Sequence, residues 1–227
     1  MHQKLTALSG LLLLAVSAHA QLGVRVGANS TTIATKTPQQ GQQASADAKT
    51  GFQVGVFYEH KLGPRFSVVP ELQFSRQRTQ LHSVESWSGV AGVTTYTTDS
   101  RLSQSYLHLP VLLRARFGNF YVEGGPQASL QLASHEAGTT VITSSYDPNS
   151  SQQNFDRTAT NSYRRFDVGL CAGLGMQLPA GFSIGLRGTS SLLPLNSKES
   201  SAPGFTINRR SQTVQASISY QLRSAGK

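Results

Sequence analysis

Residues 103–132 hold two alternating segments around one tight turn, and they restrict the fold more than any other stretch: SYLHLPVLLRARF, then Gly118-Asn119, then FYVEGGPQASLQL. Before the turn, Leu107, Leu109, Val111, Leu113, Ala115 and Phe117 share one face, against Tyr106, His108, Arg114 and Arg116 on the other. After it, Phe120, Val122, Gly124, Pro126, Ala128, Leu130 and Leu132 alternate with Tyr121, Glu123, Gln127, Ser129 and Gln131. A period of two means strands with one apolar and one polar face. Glycine accepts the positive φ required at the first central position of a type II′ turn. Pairing Phe117 with Phe120 then sets Leu109 against Ala128, Leu113 against Gly124 and Arg114 against Glu123. Apolar meets apolar throughout, whereas a slip of one residue would oppose each apolar side chain to a polar one.

The same alternation recurs along the chain. A first strand holds Leu22, Val24, Val26 and Ala28; a second Phe52, Val54, Val56 and Tyr58; a third Phe66, Val68, Pro70, Leu72 and Phe74. Beyond the hairpin come Phe166 to Leu178, then Phe182, Ile184, Leu186 and Leu192, and last Val214 to Leu222. Short turns are expected at Gly63-Pro64-Arg65, Gly118-Asn119 and Pro179-Ala180-Gly181. Polar segments at about 30–49, 76–102, 135–162 and 194–209 read as long loops. The expectation is eight strands, with short turns at one end and long loops at the other.

The N-terminus has a basic Lys4, an apolar run over 5–16 and Ala18-His19-Ala20 before Gln21. This is the pattern of a cleaved signal peptide over 1–20, leaving a single domain over 21–227. The apolar run is shorter than the ~20 residues that span a ~30 Å bilayer core. Cys171 is the only cysteine, which excludes an internal disulfide and a cysteine-cluster metal site. The net charge of +9 would suit nucleic acid or anionic lipid. Export and the lack of any nucleic-acid-binding motif favour lipid.

A soluble sandwich also alternates, so the destination of the polar face matters. By parity that face carries Arg25, Glu59, Lys61, Glu71, Arg114, Arg116, Glu123, Asp167 and Arg187, while the apolar face is nearly free of charge. Lipid enforces such a clean face, because Arg or Lys at the bilayer midplane costs ~2–4 kcal/mol. Loop asymmetry points the same way, as do several strands that exceed the ~9–11 residues that cross a bilayer at a tilt. The expected fold is all-β: an eight-stranded antiparallel up-and-down transmembrane barrel in the outer membrane, with both termini periplasmic. Phe66, Phe117, Phe120 and Phe182 would form an aromatic girdle at the short turns. Pro70, Pro110 and Pro126 fall inside strands, so a bulge or a broken ladder is expected there.

Gln21 with its LGVRVG strand, the SYLHLPVLLR segment and the glycine-rich FDVGLCAGLGMQL strand together resemble the PorT-like outer-membrane β-barrel proteins of Bacteroidetes-type bacteria. A tyrosine-led apolar strand broken by proline, here Tyr106 to Arg114, recurs in that family. The resemblance covers nearly the whole mature chain, but its short motifs mark a barrel type and not a reaction. It implies an outer-membrane location and, for some members, a link to protein secretion or gliding.

Arg114 and Glu123 are expected as an interior polar pair serving packing. Arg76, Arg78, Arg101, Arg164, Arg165, Arg209 and Arg210 are candidates for contact with outer-leaflet lipid phosphates, including lipopolysaccharide, because the Arg fork suits phosphate oxygens. The alternative is a solvated rim that merely aids orientation. His60, His82, His108 and His135 lack metal-ligand spacing, and no cofactor is expected. The leading function is a non-enzymatic barrel that anchors, scaffolds or binds, with a periplasmic or secretion-machinery partner. The alternative is a lipid-modifying barrel enzyme such as a lipid A deacylase, for which His82 with Glu85, or His135 with Glu136, could supply parts. An eight-stranded barrel is filled by side chains, so no open pore is expected.

Overall fold

The computed structural model of the chain describes residues 21–35, 42–89, 92–145, 150–158, 165–193 and 209–222. The expected signal peptide lies outside them. The strands are β1 (Gln21–Thr35), β2 (Gln42–Lys61), β3 (Phe66–Gly89), β4 (Gly92–Phe117), β5 (Phe120–Ser144), β6 (Ser151–Thr158), β7 (Phe166–Gln177), β8 (Phe182–Ser191) and β9 (Arg209–Gln221). Each pairs antiparallel with its neighbours, and β9 returns to β1, so β1–β2–β3–β4–β5–β7–β8–β9 form a closed ring of eight. Closure satisfies every strand edge inside a bilayer, where an open edge would leave backbone groups unpaired. Among the described residues no helix is long and apolar enough to cross a membrane.

The hairpin follows the register expected from its alternation: Phe117 faces Phe120, Arg114 faces Glu123 and Leu109 faces Ala128. Gly118 takes φ +63°, as its turn position requires. A bulge between Ser105 and Tyr106 shifts the pairing by one, so Ser105 meets Ala133 while Tyr106 meets Gln131. The inward set on β5 therefore changes from odd positions to even ones beyond the bulge, and Ser134 is buried where Gln131 was. The β4–β5 ladder is interrupted between Pro110–Gln127 and Leu113–Gly124, and the β3–β4 ladder between Pro70–Val111 and Gln73–His108. Proline has no N–H to donate, and the ladder lapses beside it without changing register.

Outward-facing residues form an apolar band. On β3 it runs Phe66, Val68, Pro70, Leu72, Phe74, and on β4 it runs Phe117 to Leu107. The nine residues of the β3 stretch, at ~3.3 Å each and a ~40° tilt, give a height of roughly 23 Å, close to the ~25 Å band of membrane barrels. Phe66, Phe117, Phe120 and Phe182 stand exposed beside the short turns.

The long polar segments correct the loop expectation. Residues 76–102 are mostly strand: β3 continues to Gly89, β4 begins at Gly92, and the two pair along that length. Within 30–49, β1 runs on to Thr35 and β2 starts at Gln42; within 135–162, β5 continues and β6, a ninth strand, pairs with it outside the ring. β3, β4 and β5 are thus 24, 26 and 25 residues long, against 12 for β7 and 10 for β8. One wall projects as a sheet at the long-loop end. Outside a bilayer both faces of a strand meet water, so the apolar alternation lapses. β-Branched residues remain as the strand signal, as in the Thr98–Thr140 hydroxyl pair at 3.0 Å.

Candidate functional site: an interior ion-pair layer and a basic outer wall

Inward positions toward the short-turn end bring charges from six strands into one layer. Arg114 donates from Nε (3.0 Å) and Nη2 (2.7 Å) to Glu123 Oε2, and from Nη1 to Glu59 Oε2 (3.2 Å). Arg187 donates from Nε to Glu123 Oε1 (2.6 Å) and from Nη1 to Glu71 Oε2 (2.8 Å). Arg25 Nη1 lies 3.3 Å from Glu71 Oε2. Glu59 also accepts from Arg116, from Ser67 Oγ (2.6 Å) and from Gln221 Nε2 (3.0 Å). Four guanidinium groups thus face three carboxylates. All except Arg116 are buried.

Aromatic rings and glycines complete the layer. Phe57 covers Arg25 at 5.3 Å and Tyr121 covers Arg114 at 4.2 Å, cation–π contacts between the guanidinium groups and the rings. A Cβ on Gly23 would sit 2.3 Å from the Phe57 ring, and one on Gly175 would sit 2.3 Å from Tyr121, so the wide rings fit because the facing strands present no side chain. Every acid in the layer is held by cations. The arrangement draws charges of both signs together across the interior near the short-turn end.

The next step toward the long loops is polar. His108 bonds Ser75 Oγ through Nε2 and Ser129 Oγ through Nδ1, both at 2.8 Å. Beside it a cavity of about 40 Å³, bordered by Gln127, Asp167 and Thr213, has room for a water or two. Asp167 accepts from Ser191 Oγ at 2.7 Å. Lys61, expected on the inner face, is exposed at the short-turn end.

The candidate phosphate-binding arginines separate into groups. Arg76 and Arg78 lie on β3 and Arg101 on β4, in strands and not in loops, with their side chains exposed on the outer wall. Arg165 is exposed next to Phe166 and bonds Gln131 through its backbone carbonyl. Arg164 lies outside the described residues. Arg209 and Arg210 pair with Thr35 and Ala34 in the β1–β9 ladder, and their side chains fall outside the description.

The histidine pairings expected for an enzyme are corrected. His82 meets Asp99, Nδ1 to Oδ1 at 2.7 Å, and not Glu85; His135 meets Asp156 at 3.0 Å, while Glu136 accepts from Arg157 at 2.9 Å. The reason is the strand period: residues three apart, or adjacent, point to opposite faces, whereas cross-strand neighbours share one. The partners Asp99 and Asp156 become visible only once the register is known. Among the described residues no group of three or more His, Cys, Asp or Glu side chains is placed to hold a metal.

A family model for an outer membrane protein beta-barrel domain matches residues 15–196. No curated protein matches significantly. Similar solved structures include Ail, the attachment invasion locus protein of Yersinia pestis, in complex with the heparin analogue sucrose octasulfate, at 13% identity, covering 90% of this chain and 99% of that one, TM-score 0.47. They also include the outer membrane protein OprG from Pseudomonas aeruginosa, at 12% identity, covering 90% of this chain and 97% of that one, TM-score 0.42. The outer membrane protease OmpT from Escherichia coli is similar at 8% identity, covering 89% of this chain and 96% of that one, TM-score 0.39. Such likeness says nothing of this chain's activity.

Proposed function

We propose a role for this chain from the fact that it belongs to the outer membrane protein beta-barrel domain family: it is a sealed barrel that acts as a binding scaffold on the side of the membrane where its strands project. The carrying observation is the pairing of a plugged bore with a tall wall. The ion-pair layer crosses the interior, while β3 to β6 continue past the apolar band as ordered sheet. Such investment outside the bilayer serves a surface and not a conduit. In this reading the short turns and both termini face the periplasm, and the projecting wall faces outward. The PorT-like resemblance adds a periplasmic or secretion-machinery partner, tested by comparing the secreted proteins of wild-type and deletion strains.

Single cysteines at Ser88 and Asn119, in a Cys171→Ser background, test the orientation. A membrane-impermeant maleimide added to intact cells should label position 88 and leave position 119 unlabelled until the cells are opened. The reverse pattern refutes the orientation. A freely soluble product without heat-modifiable mobility on detergent gels refutes the barrel itself.

A second reading, hydrolysis of a lipid ester, has one observation in its favour. The registers place Ser45, His82 and Asp99 in one row across β2, β3 and β4. His82 stands eight residues beyond Phe74, where the unbroken apolar alternation of that strand's outer face ends, roughly 20 Å above the band at ~3.3 Å per residue and a ~40° tilt. An ester at the bilayer surface is out of its reach, which favours binding. Lipid analysis of deletion and His82→Ala strains decides between them: a changed acylation pattern in both would establish the enzyme.

A further inference from the structure

We propose that Lys49, Arg76, Arg78 and Arg101 form one binding site for the phosphate groups of an anionic lipid in the leaflet next to the long-loop end. The inference rests on the membrane-barrel reading and names the partner of its outer wall. The four residues come from three neighbouring strands, and register brings them together. Lys49 is the cross-strand partner of Arg78; Arg76 precedes Arg78 by two residues on the same face; Arg101 faces Gln80, diagonal to Arg78. Directly opposed and diagonal pairs have Cβ atoms ~4.5–8 Å apart, so one phosphate, or two on one headgroup, can touch several of these cations. Arg76 donates from Nε to Ser103 Oγ at 3.1 Å, which lays its guanidinium over β4 toward Arg101.

Height selects the ligand. The last wholly apolar rung below is Val54, Phe74 and Leu107, and Arg76 occupies the next one, between Phe52 and Ser105. Each rung of two residues adds about 5 Å, so the cations stand ~5–15 Å above the apolar band, at headgroup level. They point outward, toward lipid, and not into the bore. A soluble anion would need no such placement.

Charge balance supports the same ligand. Elsewhere on this sheet Arg157 pairs with Glu136, while His82 meets Asp99 and His135 meets Asp156. Among the described residues none of these four cations has an ion-pair partner. Asp47, opposite Gln80 and two residues before Lys49, forms no ion pair with them. Like charges directly opposite each other destabilise a sheet, and Lys49 faces Arg78. Phosphate oxygens would relieve that repulsion with the bidentate geometry Arg favours.

The test uses the purified full-length protein and vesicles of neutral phospholipid containing bis-phosphorylated or dephosphorylated lipid A. The wild type should bind the phosphorylated vesicles more tightly, and Arg76→Gln/Arg78→Gln should weaken that binding by about thirty-fold, the effect of two basic side chains beside an anionic surface. Arg157→Gln, removing a cation already paired, should change it less than about threefold. Equal binding to both vesicle types, or an unaffected double variant, overturns the proposal. Competition by millimolar inorganic phosphate at matched ionic strength would overturn the lipid assignment in favour of a free-phosphate site. Heat-modifiable mobility of each variant verifies the barrel, so failure to bind lipid is distinguishable from failure of the barrel reading.

Discussion

Replacing Glu123 by Gln keeps the shape of the side chain and removes one of three carboxylates from a layer that holds four guanidinium groups. Four positive charges less three negative leave one; with Gln at 123 the excess becomes two. Arg114 then retains Glu59 alone, Arg187 retains Glu71 alone, and all of these groups are buried. Stranding buried charge in this way costs about 3–5 kcal/mol. Arg114→Met behaves differently, because it leaves three cations with three carboxylates. Glu123 keeps Arg187, and Glu59 keeps Arg116, Ser67 and Gln221. Its cost should be about 2–3 kcal/mol, the loss of hydrogen bonds to charged groups. The double variant restores an excess of one and should be less unstable than the sum by about 1.5–3 kcal/mol. Reversible urea unfolding from lipid vesicles, followed by gel mobility and by the fluorescence of Trp87, measures all four corners of the cycle. A coupling below about 0.5 kcal/mol, or Arg114→Met costing more than Glu123→Gln, refutes the charge count.

Leu113, outward-facing and near the middle of the β4 apolar face, should tolerate Arg poorly, losing ~2–4 kcal/mol in the same assay, whereas Ser105→Arg at the edge of the band should lose ~0–1 kcal/mol; equal effects would argue against a bilayer around this wall. At Gly125 a Cβ would stand 2.1 Å from the Val111 carbonyl oxygen, beside the interrupted ladder. Gly125→Ala therefore has to move backbone and should cost about 1–3 kcal/mol, read as a lower urea midpoint; an unchanged midpoint would show the strands free to part there. Planar bilayers holding the wild-type protein should show no resolved conductance steps, since the guanidinium–carboxylate layer crosses the bore, and steady single-channel steps would refute the seal.

Alternation alone exposed the hairpin, its register and the Arg114–Glu123 opposition, because a strand with lipid on one face and a packed bore on the other must alternate in sequence. The same rule placed Arg25, Glu59, Glu71 and Arg187 on the inner face without showing how they pair. Their partners come from strands distant in sequence: Arg187 reaches Glu71 across 116 positions and Gln221 reaches Glu59 across 162. Arg76, Arg78 and Arg101 were recognisable as basic residues near the loops, while Lys49, which completes their cluster, emerged only from the β2–β3 register and its bulge between Lys49 and Phe52. His82 was legible as a polar loop residue, and its true neighbour Asp99 was not, because the intervening segment gave no apolar period to mark it as strand.

The sequence by itself determined where the chain meets lipid. One methylene-rich face per strand, clean of charge, is a local property of alternating residues, and it carries the fold class, the short turns and the height of the band. Only the tertiary structure decided what lies inside and above that band. Ring closure brings three carboxylates and four guanidinium groups from six strands into one layer. Beyond the bilayer, where water on both faces removes any selection for alternation, hydrogen bonding between long strands and not hydrophobic pattern fixes the projecting wall and the cations it gathers.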